Sequence, residues 1–392
     1  LGKKGRFSEV SKAVRVIYIS QGNVPSKWAH TFQAMKMAEA LGRQAGALTL
    51  LTGGGLLPSK VPAVDLVSWY GIHENFRIVC LPVHARLRAS LFEGYRYPKF
   101  DLAAAFYARV KSPDLVFTRS PYAGRLSAML HLKTIIETHI ETGHPEFRHV
   151  KGACRAPGFL GVVTVTDFLK DRYIRAGIPG AKIIVCPDAV DLSCFETLPA
   201  KKALRDELAL PPAAQVATYC GHLYEHKGAF QIIEAAKHAP KTLFCLVGGW
   251  PDDIERCRKR AEGLTNIHFA GFVPNGLVPK YLAASDFLLL PNSMKHEQAY
   301  ATSPLKLFEY MAARRPIIAS KIPAFERLLR HRRNAYLIEP DSAEAIVSAI
   351  RVLGENPGLC ARMAEQAWEE VQKLTWERRA REILSYFFLN CT

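Results

Sequence analysis

The sequence lacks any uninterrupted apolar run of about 18 residues, so no helix crossing a membrane is expected. It begins Leu-Gly-Lys-Lys-Gly, with neither a methionine nor an apolar stretch, and no secretory signal is expected in these residues. No two cysteines are spaced Cys-x-x-Cys. Several of the nine lie inside apolar runs, such as Cys220 in VATYCG and Cys245 in LFCLVGG. They read as small buried hydrophobes of a reducing, cytoplasmic compartment rather than as a disulfide framework or a zinc site. Low-complexity segments and repeats of 20–50 residues are also missing, which excludes solenoids and arrays.

Acidic residues are the scarce charge: 36 Asp+Glu face 52 Lys+Arg, for a net +16. The imbalance sits mainly in residues 1–195, which carry 26 basic and 14 acidic residues. That half is expected to meet something anionic, whether nucleic acid, an acidic membrane face or a phosphorylated substrate. The 392 residues, 49% hydrophobic and 22% charged, suit a folded chain of two or three domains.

Short β-branched runs alternate with longer helical patterns. Strands are expected at 14–20, 48–52, 78–81, 115–118, 134–137, 162–166 and 182–186. After a proline-rich stretch at 187–212 the alternation restarts, with strands at 215–220, 242–247, 267–270, 287–290 and 316–319. Asp167 is expected to cap a helix over 167–176, and three helical segments close the chain. This order predicts an α/β fold of two Rossmann-like domains facing a cleft. The expected domains are 1–195, joined by a returning helix at about 375–392, and 196–374. Ligands in such sheets bind outside the carboxyl ends of the strands.

Three elements at those ends carry candidate chemistry. The strand 215–220 runs into Gly221-His222-Leu223-Tyr224-Glu225-His226-Lys227-Gly228. A glycine there allows close backbone approach, and a lysine entering the next helix adds a cation beside that helix's positive end, so the loop suits a phosphate. Ser303 and Pro304 suit positions N-cap and N1 of a helix over 304–314, whose first amides around Leu305 and Lys306 again favour an anion. Glu309, on the same helix among apolar neighbours, needs partners; paired ribose hydroxyls would supply them, as would a surface pair with Lys306. The strand 134–137 ends near His139, which is either a structural histidine or a contact to a reacting group in the cleft.

In this order and spacing the three elements resemble glycosyltransferase family 4, retaining enzymes of the GT-B fold. The run Gly221 to Gly228 is similar to that family's Gly-x-Leu-x-x-x-Lys-Gly, and Glu309-Tyr310-Met311-Ala312 to its Glu-x-Met-Ala. Pro187-Asp188-Ala189-Val190-Asp191, Gly271-Phe272-Val273, Ser285-Asp286-Phe287 and Thr375-Trp376-Glu377 fit as well. The resemblance implies transfer of a hexose from a UDP- or GDP-sugar to a glycan or lipid-linked acceptor, with retention and without a metal or other cofactor. It implies that Lys227, His222 and the amides around Pro304, Leu305 and Lys306, with Ser303 beside them, hold the diphosphate near Gly221. It further implies that Glu309 holds the ribose, that His139 contacts the donor sugar, and that Gly22 flanks the diphosphate from the first domain. Catalysis is thereby assigned to His139, Lys227 and Glu309.

The chain departs from the family at two places. His222 stands where an arginine is common, and Ala301 where the first glutamate of a Glu-x7-Glu pair is expected, with Glu297 the nearest substitute. Residues 77–111 hold seven basic residues interleaved with aromatics. Arg86, Arg88, Arg96 and Lys99 are candidates for an anionic leaflet, the inner face of a membrane, or for a phosphate-bearing acceptor; a solvated helix face is the plain alternative. No nucleic-acid motif accompanies the charge. Two rival functions stand beside the transferase: a sugar-nucleotide epimerase on the same fold, and an inactive nucleotide-sugar or membrane-binding module.

Overall fold

The computed structural model describes residues 14–53, 66–73, 75–81 and 98–389. Arg86, Arg88 and Arg96 lie outside the described residues. The chain forms two compact units, residues 1–188 with 376–392, and residues 189–375. Residues 189–195, expected in the first domain, thus join the second, because Leu192, Phe195 and Leu198 pack against its hydrophobic core.

Among the described residues the first unit carries seven parallel strands. They are β1 (Arg15–Ile19), β2 (Ala47–Gly53), β3 (Arg77–Leu81), β4 (Leu115–Thr118), β5 (Thr134–Glu137), β6 (Phe159–Thr164) and β7 (Ile183–Val185). Their order is β3-β2-β1-β4-β5-β6-β7. The second unit carries β8 (Gln215–Cys220), β9 (Thr242–Val247), β10 (Ile267–Gly271), β11 (Phe287–Leu290), β12 (Ile317–Ser320) and β13 (Tyr336–Ile338), ordered β10-β9-β8-β11-β12-β13. In each unit the order reverses beside the first strand, between β1 and β4 and between β8 and β11. A crevice therefore opens at the carboxyl ends of those pairs. The central strands β4, β5 and β11 are buried throughout, as parallel strands covered by helices on both faces must be, while the edge strands β3 and β10 are largely half-exposed.

Local capping differs from the sequence expectation at two helices. Thr166, not Asp167, caps the helix Asp167–Arg175, its side chain accepting from the Leu169 amide at 3.2 Å. The helix expected over 304–314 spans Leu305–Ala312, with Pro304 at the cap position in an extended conformation and Ser303 outside it. The eight described cysteines are free thiols; four are buried, while Cys80 on edge strand β3 is exposed.

The closing helix Trp376–Leu384 belongs to the first unit and packs on the helix Ala29–Gln44. Arg43 pairs with Glu377 at its rim. Its inner face sends Arg379 beneath β5, where Nη1 meets Glu137 Oε2 at 3.1 Å and both side chains are buried. Arg379 also donates to the carbonyls of Pro187 (2.9 Å) and Cys186 (3.2 Å). Removing one partner of a buried pair strands the other charge, at a cost of about 3–5 kcal/mol. Arg379→Ala is expected to lower the first unit's unfolding free energy, read from urea denaturation, by that order, whereas exposed Arg378→Ala should change it little; equal values for the two variants would show that the pair is not a structural anchor.

Candidate functional site

The second unit builds its site from three chain segments at the carboxyl ends of β8 and β11. Gly221 ends β8 with φ +134°, and a Cβ there would stand 3.2 Å from Lys306 Nζ. Gly228 has φ +86°, and its Cβ would lie 2.0 Å from the Pro291 carbonyl oxygen, so only glycine lets the loop 221–228 close onto the end of β11. Gly228 also begins the helix Ala229–His238, which places Lys227 at that helix's positive end.

Lys227 Nζ donates to Gln298 Oε1 at 2.6 Å, and burial pushes its ammonium down to about 8. Lys306, in the first turn of Leu305–Ala312, lies with Nζ 3.8 Å above the centre of the Tyr219 ring. Burial, and next the charge of Lys227, hold Lys306 well below the ordinary lysine value. Glu309 follows one turn later, half-buried, and its charge supports that of Lys306. Tyr219 donates from its hydroxyl to the His222 carbonyl at 2.7 Å, and the Tyr310 hydroxyl accepts from the Cys220 amide at 2.8 Å, fixing the floor.

His222 stacks on Tyr224 (ring centres 5.2 Å) and on Trp250 (5.4 Å), and the Trp250 indole N–H donates to the Tyr224 hydroxyl at 3.3 Å. Burial first, then Lys306, lower its pKa, so it takes its place as a neutral ring and not as a substitute for arginine's charge. Ala301 is buried, and Glu297 is exposed at the start of the short helix Gln298–Ala301. The neighbour of Glu297, Gln298, is the residue that reaches Lys227. Sequence reasoning missed Gln298, Tyr219 and Trp250; the stack and the amide contact join residues far apart in the chain, and no local spacing signals them.

The first unit builds a second constellation at the end of β5. Glu137 is buried and accepts from Gln33 Nε2 (2.5 Å), His139 Nε2 (3.1 Å) and Arg379 (3.1 Å). Burial alone would raise its carboxyl; Arg379, the His139 hydrogen bond and Arg119 outweigh that and hold it well below the usual carboxylate range. His139 is half-buried, and its Nδ1 faces Arg119 Nη2 at 3.4 Å. Both ring nitrogens are thus engaged within the unit, so a contact from His139 to a sugar requires Arg119 or Glu137 to yield one. Asp188, also buried, receives Gln33 Nε2 at 3.4 Å. Glu137, His139 and Asp188 each present one ligand atom within 4.8 Å of the others. Two guanidiniums already serve this cluster, so it is an ion-pair network and a poor match to a cation.

Gly22 follows β1 with φ +117°, and a Cβ there would meet His30 Nε2 at 3.3 Å. Lys99 is exposed in the first turn of the helix Pro98–Lys111. The structure therefore gathers Gly221, His222, Lys227, Lys306 and Glu309 in the second unit, with Ser303, Pro304 and Leu305 at the entry of the same helix. Gly22 and His139 stand at the carboxyl ends of β1 and β5 in the first unit, and Lys99 on its surface.

Residues 200–370 match the family model described as "Glycosyl transferases group 1". Over 222 residues the chain is 30% identical to TuaC of Bacillus subtilis, covering 56% of this chain and 53% of that protein. The chain therefore spans about half the length of that relative. A phosphatidyl-myo-inositol mannosyltransferase of Mycobacterium leprae is 24% identical over 92% of this chain and 91% of its own. Among solved structures, Anabaena HepE in complex with UDP-glucose superposes with a TM-score of 0.73 at 17% identity, covering 95% of this chain and 99% of that one. Sucrose-phosphate synthase of Thermosynechococcus elongatus superposes with 0.75 at 19% identity, over 97% and 100%. The chain has the two Rossmann-like units of the GT-B fold, and its residues 200–370 are similar to the group 1 glycosyl transferases.

Proposed function

We propose that the chain moves a hexose, with retention, from a UDP- or GDP-sugar to a glycan or lipid-linked acceptor. The observation that carries this reading is the pair of lysines at the loop after β8: Lys306 Nζ lies 3.2 Å from where a Cβ of Gly221 would stand and over the Tyr219 ring, and Lys227 Nζ is held by the side-chain amide of Gln298. The solved complex of HepE with UDP-glucose, on a shared fold, supports a nucleotide-sugar donor. The mannosyltransferase of Mycobacterium leprae and a galactosylglucosyldiacylglycerol synthase of Streptococcus pneumoniae support a lipid-linked acceptor by their names.

In this reading the bond between the sugar's anomeric carbon and the diphosphate oxygen breaks, and negative charge grows on the departing nucleotide. Lys227, Lys306 and the first amides of Leu305–Ala312 stabilise that charge where it develops, which a metal would otherwise have to do. Glu309 accepts hydrogen bonds from the ribose, and His139 meets the sugar near the breaking bond. The acceptor hydroxyl then attacks from the face the diphosphate leaves, the new glycosidic bond forming as its proton passes to the departing diphosphate oxygen.

The helix Pro98–Lys111 supports a membrane surface as the place of reaction. Leu102, Phe106 and Val110, four residues apart, are 51%, 68% and 65% exposed, and Lys99, Arg109 and Lys111 are exposed beside them. An apolar stripe flanked by cations fits an anionic leaflet, each basic residue contributing about 1 kcal/mol. No helix among the described residues is long and apolar enough to cross a membrane.

Glu309→Ala is expected to weaken nucleotide binding about 10- to 100-fold by calorimetry, through loss of charge-assisted hydrogen bonds. His139→Ala should keep that affinity and lower kcat by about a hundredfold or more. Unchanged affinity in Glu309→Ala would remove the ribose assignment. In flotation with vesicles containing an anionic lipid, Phe106→Ser should cut binding several-fold while far-UV circular dichroism stays the same. Equal flotation of variant and parent, or equal binding to neutral vesicles, would remove the membrane reading.

A further inference from the structure

Lys227 Nζ is held by an uncharged partner, the side-chain oxygen of Gln298, at 2.6 Å. An ammonium only donates, so the amide must present its oxygen. The contact fixes Nζ and leaves the charge of the lysine in place. The first unit does the opposite: Arg379 and Glu137 hold each other, and their charges offset. A carboxylate stands close by in the second unit too, since Glu297 directly precedes Gln298 and is exposed, while Ala301 is buried. The side chain of this segment that reaches Nζ is the neutral one.

Gln298 is itself fixed on several sides. Its backbone N–H donates to His296 Nδ1 at 3.2 Å, and its carbonyl accepts from the Thr302 amide at 3.2 Å, closing the short helix Gln298–Ala301. The His296 ring stacks on that of His226, with centres 4.2 Å and planes 18° apart, and a side-chain hydrogen bond joins His226 to Gln298. His226 directly precedes Lys227, and its carbonyl accepts from the Ser293 amide at 3.0 Å. Backbone, ring stack and amide thus pin the loop 221–228 to the segment 293–302. A lysine side chain is long and flexible, and a pinned amide removes freedom that it would otherwise lose on meeting an anion.

We propose that Gln298 is a positioning residue for the donor diphosphate: it aims Lys227 and, being neutral, leaves the charge of that lysine to the phosphates. The inference rests on the donor reading above and adds to it a residue that acts through Lys227 rather than on the substrate. Exchanging the amide for a carboxylate changes charge at nearly constant shape. A glutamate at this position would still hold Nζ, but it would offset the charge that meets the anion. A methionine would spare the charge and lose the aim, a smaller effect. The residue type, and not the contact alone, therefore sets how strongly the site favours a second phosphate.

The test is titration calorimetry of the whole protein with UDP, GDP and ADP and with the matching monophosphates, at one pH and one salt concentration. The ratio of diphosphate to monophosphate affinity reads the positive charge offered to the second phosphate, whereas a general loss of structure weakens both nucleotides alike. For the base that binds, Gln298→Glu should lower that ratio about tenfold or more, and Gln298→Met about threefold. In the Lys227→Met background, Gln298→Met should change the ratio no further, the non-additivity of residues that act as a pair. Gln298→Glu with the ratio of the parent, or a loss in Gln298→Met that is the same with and without Lys227, would overturn this inference and leave the donor reading standing. Absence of binding by all three diphosphates at millimolar concentration would overturn both.

Discussion

A backbone approach too close for any side chain organises the second unit. Gly228 lets the loop after β8 rest on the Pro291 carbonyl at the end of β11, a distance of 2.0 Å for a Cβ that glycine lacks. That contact closes the crevice at the order reversal of the sheet and brings Lys227 toward the helix that carries Lys306 and Glu309. The rest of the site follows from it. Gln298 meets Lys227, Tyr219 lies beneath Lys306, and His222 packs on the rings of Tyr224 and Trp250.

The two units treat buried charge in opposite ways, and the contrast separates architecture from chemistry. In the first unit Glu137 is met by Arg379, His139 and Gln33, with Arg119 4.0 Å away, so its charge is balanced where it stands. A balanced, satisfied network holds an element in place; here it fastens the closing helix beneath β5. In the second unit burial lowers both lysines, and the charge of Lys227 lowers Lys306 further while Cys220 and Glu309 oppose it. Cations left short of anions inside a protein cost stability unless a ligand supplies the charge, and strongly perturbed groups gathered in a crevice mark functional sites.

Where sequence reasoning succeeded, the signal was local. Continuous apolar strands alternating with helices foretold both sheets, because parallel strands covered on both faces have to be apolar throughout. The loop Gly221–Gly228 and the helix bearing Glu309 were legible for the same reason: a glycine after a strand and a lysine before a helix have short-range consequences. The short edge strand β13 escaped, since three residues carry too little periodicity. The helix entry at Pro304 was displaced by one residue.

The sequence by itself determined the class of fold, the loops from which the site is made and the excess of positive charge. Each of these follows from residue type and neighbour spacing. Only the tertiary structure decided how those charges are used. Arg379 meets Glu137 across 242 residues of chain, Gln298 meets Lys227 across 71, and Trp250 meets the His222 ring from the end of another strand. Whether a lysine is solvated, paired or left facing another cation depends on what the fold sets beside it and on how much water it excludes. Those are properties of packing, and no local pattern in the chain carries them.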